Sequence, residues 1–227
     1  MKVFWLCIAV VALLAGPAEG ASGKAKTRPV GSKPLSDEEA AELVRRTAFE
    51  PKPGNRAENR RVLTQRQLRY FRRHSDMTYK HRVTGNFRGT TDEIIQWAAH
   101  KHGVGEDLFR AVAVKESWWR METVGDNGDS FGLMQIRRPY HCCPRFAKRS
   151  TAFNADYYGA IIRSYFDGRE QWLNTVERGR DYRAGDIWGA VGAWFSGRWH
   201  TPPAQEYIGE VRRIKRERTW RMPLFRD

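Results

Sequence analysis

The sequence predicts a mainly α fold, a single helical domain over residues 90–222 preceded by a disordered, basic N-terminal extension. Two observations carry this reading. From Thr91 onward, successive stretches place apolar residues three and four apart, each bounded by a capping residue or a glycine. Before that point the composition shifts to Gly, Lys, Ser, Pro and Arg without a sustained apolar period. At 227 residues the chain is long enough for a core of ordinary size.

Val3 to Ala15 is an apolar run behind Lys2, and Ala18-Glu19-Gly20 ends it with small residues at the −3 and −1 positions. Residues 1–20 therefore read as a secretory signal peptide, too short for a membrane span, and the protein is expected outside the cytoplasm, secreted or periplasmic. Residues 21–58 read as a disordered linker carrying one short helix. Ser36-Asp37-Glu38-Glu39 is a capping box, and Ala40, Leu43, Val44 and Thr47 form a short face before Pro51-Lys52-Pro53-Gly54. Residues 59–89 form a basic segment with interspersed Tyr70, Phe71, Tyr79 and Phe87, readable as a helix and a loop packed on the main domain.

Within the domain, Asp92 and Glu93 suit a first helical turn, with Ile94, Ile95, Ala98 and His102 as the face and Gly103 as the stop. A second helix starts near Gly105. Asp126 to Ser130, with Asn127-Gly128, reads as a loop or short hairpin. A third helix runs from about Ala152 to Asp167. A fourth runs from Asp186 to Gly197, and a fifth after Pro202-Pro203 has Tyr207, Ile208, Val211 and Ile214 on one side.

The formal charge is +14. Nine Lys or Arg lie between Arg56 and Arg82 against Glu58 and Asp76, and six lie between Arg212 and Arg221 against Glu217. For an exported chain the matching polyanion is the cell envelope; a solvated surface that keeps the protein soluble explains the charge equally well. With no nucleic-acid module visible and a signal peptide present, no nucleic acid is expected as partner. Cys142 and Cys143 are adjacent, a spacing that rarely pairs, so two packed thiols are favoured over a disulfide. His141 stands beside them, but no second Cys/His pair lies at ligand spacing, so neither a metal nor another cofactor is expected.

Glu116 is the residue on which a function can be built. In the run from Leu108 to Ser117, Phe109, Ala113 and Glu116 fall at i, i+4 and i+7 and share one helix face. A carboxyl on an apolar stripe loses hydration, which raises its pKa and keeps it protonated near neutrality, the condition for a general acid. Gly132-Leu133-Met134-Gln135-Ile136 follows shortly after.

Glu116-Ser117 followed at this separation by Gly132-Leu133-Met134-Gln135-Ile136 resembles the soluble lytic transglycosylase catalytic domain, over roughly residues 90 to 215. The resemblance implies a lysozyme-like fold with a saccharide groove and a monomer acting on peptidoglycan strands. It implies Glu116 as sole catalytic acid and base. Ser117, Met134, Gln135, Asp126 and Trp194 are then the substrate-binding residues, Ser117 also supporting the helix end. Two departures stand out. Ala193-Trp194-Phe195-Ser196-Gly197 replaces the family's Ala-Tyr-Asn-Ala-Gly, and Gly125-Asp126-Asn127-Gly128-Asp129 is similar to the acidic loop of goose-type lysozymes. In those lysozymes a second aspartate follows the Met-Gln pair, where this chain has Arg137. An inverting hydrolase needs that placed carboxylate, so transglycosylation is favoured over hydrolysis; a non-catalytic wall-binding module is the remaining alternative. Trp118, Trp119 and Trp199 are further aromatic faces, for which packing is the simpler explanation.

Overall fold

A computed structural model of the chain describes residues 27–175 and 181–226, so the signal peptide lies outside the described residues. The fold is mainly helical, with one small three-stranded sheet. The elements are α1 (Asp37–Glu42), α2 (Arg56–Asn59), α3 (Gln65–His74), α4 (Thr91–His102) and α5 (Glu106–Ser117), then β1 (Val124–Gly125), β2 (Ser130–Phe131) and β3 (Ile136–Arg137), then α6 (Pro144–Ala147), α7 (Thr151–Phe166), α8 (Ile187–Ser196) and α9 (Pro202–Glu217). No helix among the described residues is long and apolar enough to cross a membrane.

α4 and α7 form the centre. Every residue of α4 from Glu93 to His102 is buried, and α7 is buried along nearly its whole length. The charged groups this submerges are paired, as burial demands. Asp156 on α7 sits 2.7 Å from the Lys101 ammonium and 2.6 Å from His102 Nε2, and it accepts backbone N–H groups from Thr84 and Gly85 at 2.8 and 2.9 Å. α5 packs between α4 and α9, and α8 between α7 and α9. The expected hairpin is present: β1 and β2 pair antiparallel, Gly125 opposite Ser130, and β3 adds to β2 with Phe131 opposite Ile136.

The N-terminal expectations need correcting. Residues 27–58 are not a linker. Gly31 N–H donates to Gly103 O and Leu35 N–H to Lys101 O, both at 2.9 Å, which fastens this stretch along the end of α4. α1 forms as its capping box predicts, and its Ala40 and nearby Val44 are buried in the common core. Lys52, buried, reaches Phe225 O at 2.5 Å and lies 4.5 Å over the Phe225 ring. Asn55 bridges Thr91 Oγ1, Trp119 O and Met121 N. Residues 59–89 are likewise integral: buried Phe71 on α3 meets Phe153 edge-on at 5.2 Å, and Phe87 stacks on Trp97. A domain boundary at residue 90 is therefore overturned; the core draws on both sides of it.

Candidate active site

α5 ends in an unusual way. Trp118 and Trp119 both adopt left-handed backbone angles, φ 57° and 64°. Trp118 N–H bonds to Val114 O at 2.9 Å and Trp119 N–H to Ala113 O at 3.3 Å, the paired closure that usually employs glycine. Tryptophan tolerates this conformation at a cost on the order of 1 kcal/mol each, offset by packing. Trp119 is buried, donates its indole N–H to Arg110 O at 3.1 Å and meets Phe225 edge-on at 5.1 Å. Both indoles thus sit against Phe225 and neither lines the cleft. Trp199 is fully buried as well. The packing explanation holds for all three.

The Gly132–Ile136 run works as a lock between α5, the hairpin and α7. Gly132 has φ +75°, and a Cβ there would fall 2.5 Å from Asn154 Nδ2, so glycine is required twice over. Asn154 accepts from Met134 N at 2.8 Å and donates to Phe131 O at 2.9 Å. Ser117 Oγ donates to Leu133 O at 2.8 Å, pinning the helix end to the turn. Gln135, itself at φ 50°, donates its amide to Thr123 O at 3.1 Å and Gly132 O at 2.9 Å.

Beside this lock opens a cavity of about 710 Å³ whose lining includes Glu116, Asp126, Gln135, His141, Trp172 and Trp194. Of the sequence-derived site residues, Glu116, Asp126, Gln135 and Trp194 are brought together there. Two are not. Met134 is fully buried in the core, and buried Ser117 faces the turn rather than the cavity. Gln135 lines the cavity but commits its N–H groups to the hairpin, which leaves only its acceptor oxygen for a ligand.

Glu116 lies within one helical turn of the α5 terminus, half-buried at the cavity wall. Burial pushes its pKa up to about 7; hydrogen bonds from Tyr207 and Trp194 and the charge of Lys115 work against that rise, and the Asp126 charge adds to it. The Tyr207 hydroxyl donates to Glu116 Oε1. Tyr158, buried beside this pair, has its own titration raised by burial and then by the Glu116 charge, and among the described residues its hydroxyl has no hydrogen-bond partner. Asp126, which lines the same cavity, is exposed: it accepts from Ser130 Oγ and lies 3.4 Å from Arg137 Nε.

Trp194 is held between two rings. His141 stacks on it at 5.4 Å with 9° between planes, and Tyr158 meets it edge-on at 5.0 Å. Burial lowers the His141 pKa to about 4, so this flat ring is neutral at physiological pH. Cys142 and Cys143 beside it are joined in a disulfide, which corrects the expectation of two thiols; Cys143 takes φ 67° in the tight turn before Pro144. Trp172, 42% exposed, offers another ring and donates its indole N–H to Glu170 at 3.0 Å.

Sequence reasoning missed Tyr207, His141 and Trp172. Only Tyr207 carried a usable signal, a hydroxyl on an otherwise apolar helix stripe that must find a partner when buried. Among the described residues no group of three or more His, Cys, Asp or Glu could hold a metal ion. No protein-family model, curated protein or solved structure matches the chain.

Proposed function

We propose that this chain is a peptidoglycan lytic transglycosylase of lysozyme-like fold, exported to act on the cell wall. The observation that carries the reading is the state of Glu116, a carboxyl held near pKa 7 at the wall of a cavity floored by Gln135 and Trp194. Such a group is protonated often enough to donate and basic enough to recover the proton, which is what a single acid/base requires.

In this reading Glu116 gives its proton to the oxygen of the bond between muramic acid and glucosamine as the C–O bond breaks. The ionised carboxylate then takes the proton of the muramic acid C6 hydroxyl, whose oxygen closes on the anomeric carbon. A 1,6-anhydro end forms, Glu116 is again protonated, and no water is consumed. The nucleophile arrives with the substrate at high effective molarity, so no second carboxylate is needed. Trp194, backed by His141, supplies a flat face for a pyranose ring.

Hydrolysis of the goose-type lysozyme kind is the second reading, and one observation favours it: Asp126 lines the same cavity and its charge reaches Glu116. Its pairing with Arg137 and Ser130 weighs against a role as base for water. Mass analysis of the muropeptides released from purified sacculi separates the outcomes. Anhydro products, lighter by one water, support the transglycosylase; reducing ends support the hydrolase, and no release leaves a wall-binding module. Glu116→Gln should abolish release, because an amide cannot supply the proton.

A further inference from the structure

A second cavity, of about 580 Å³, shares no lining residue with the Glu116 cleft. Its walls come from two stretches remote in sequence: residues 61–70, leading into α3, and residues 145–150, from α6 to the cap of α7. Arg61, Arg66, Arg145 and Arg149 line it, and no Asp or Glu does. Among the described residues none of these four guanidinium groups is paired with a carboxylate. Its aromatic lining is exposed Tyr70 and buried Phe146. The Arg145 guanidinium stands 4.9 Å over the Tyr70 ring and 5.1 Å from the Phe146 ring, and Tyr70 is backed by His74 stacked at 4.0 Å. The two walls are tied together: Ser150 Oγ donates to Arg61 O at 2.7 Å, and Tyr70 meets Phe146 edge-on at 6.1 Å.

We propose that this groove binds a phosphodiester-linked polyol polymer of the cell envelope, with phosphates seated among the arginines and the carbon backbone along exposed Tyr70. All the cations are arginine, whose planar fork grips an oxyanion through two parallel hydrogen bonds. A lone carboxylate would match one fork. Four like charges around one cavity call for closely spaced negative charges, which successive phosphates supply. The choice of an envelope polymer rests on the wall-enzyme reading; the preference for phosphate does not.

The test is a fluorescence anisotropy titration of the full chain with a short labelled poly(glycerol phosphate). Binding should weaken steeply as salt rises. Arg66→Glu/Arg149→Glu should reduce affinity by roughly tenfold or more and flatten the salt dependence. Arg66→Lys/Arg149→Lys, which keeps the charge but loses the forks, should fall between. Circular dichroism verifies that the variants are folded, and anhydro-product release from sacculi at high salt should be unchanged in them. Glu116→Gln should bind as the wild type does, so a failed enzyme reading leaves this result legible. Unchanged affinity in the glutamate variant, equal binding of polyglutamate, or tighter binding of single-stranded DNA of matched length would each overturn the proposal.

Discussion

Phe195 lies flat on Tyr207, 4.7 Å between ring centroids and 4° between planes. Tyr207 is thereby held from one side by a ring on α8 while its hydroxyl donates to Glu116 on α5. Three helices meet at that one hydrogen bond, which stabilises the ionised carboxylate and so restrains a pKa that burial drives upward.

Removing the hydroxyl should release that restraint. In Tyr207→Phe the Glu116 pKa rises above its wild-type value near 7, and the alkaline fall in turnover moves to higher pH. A pH–rate profile on sacculi measures it. A limb that stays in place or moves to lower pH would contradict the assignment of Tyr207 as the donor that tunes the acid.

Glu116 should also tax stability. Its folded pKa of about 7 lies above the ordinary 4.5, so between those values the folded chain keeps a proton that the unfolded chain has lost. Stability therefore falls as pH rises through that window, by about 3 kcal/mol in all. Glu116→Gln removes the titration. It should be inactive yet melt on the order of 5–10 °C higher than wild type at pH 8, with little difference at pH 4.5. Equal melting temperatures at both pH values would show the carboxyl to be well hydrated.

Ser117→Ala deletes the bond from the helix end to Leu133 O. The expected cost is about 1 kcal/mol of stability, together with a lower kcat at nearly constant KM, because the acid is misplaced while the saccharide surfaces persist. A raised KM with intact kcat would instead place Ser117 in contact with substrate.

Asp156→Ala removes one of the two carboxylates that pair buried Lys101, Asp37 being the other, deletes the partner of His102 Nε2, and leaves the Thr84 and Gly85 amides without this acceptor. Breaking a buried pair from one side costs about 3–5 kcal/mol, read as a lower denaturation midpoint. A loss below about 1 kcal/mol would mean that water already reaches this cluster.

The helices of the core were legible because each announces its ends. Thr90 with Glu93 opens α4 and Gly103 closes it, and Asp186 caps α8 through Gly189 N at 2.9 Å. Glu116 stood out because the Gly132–Ile136 run follows it; alone, an acid near a helix end reads as an ordinary solvated carboxylate. The stretch 27–58 was misread as a linker because its order comes from partners far along the chain. Lys52 looks like a linker lysine until Phe225 is placed against it. Met134 was misassigned for the opposite reason: a motif conveys which residues go together, not which side chains turn inward. His141 gave no sequence signal, since its value lies in being parallel to Trp194.

Lys52 and Phe225 touch across a separation of 173 residues, and Phe225 in turn backs Trp118 and Trp119 at the end of α5. The left-handed closure of α5 is consequently consolidated only after a residue far along the chain has been made. Until Phe225 has emerged, the two indoles that close the helix lack the ring against which both pack.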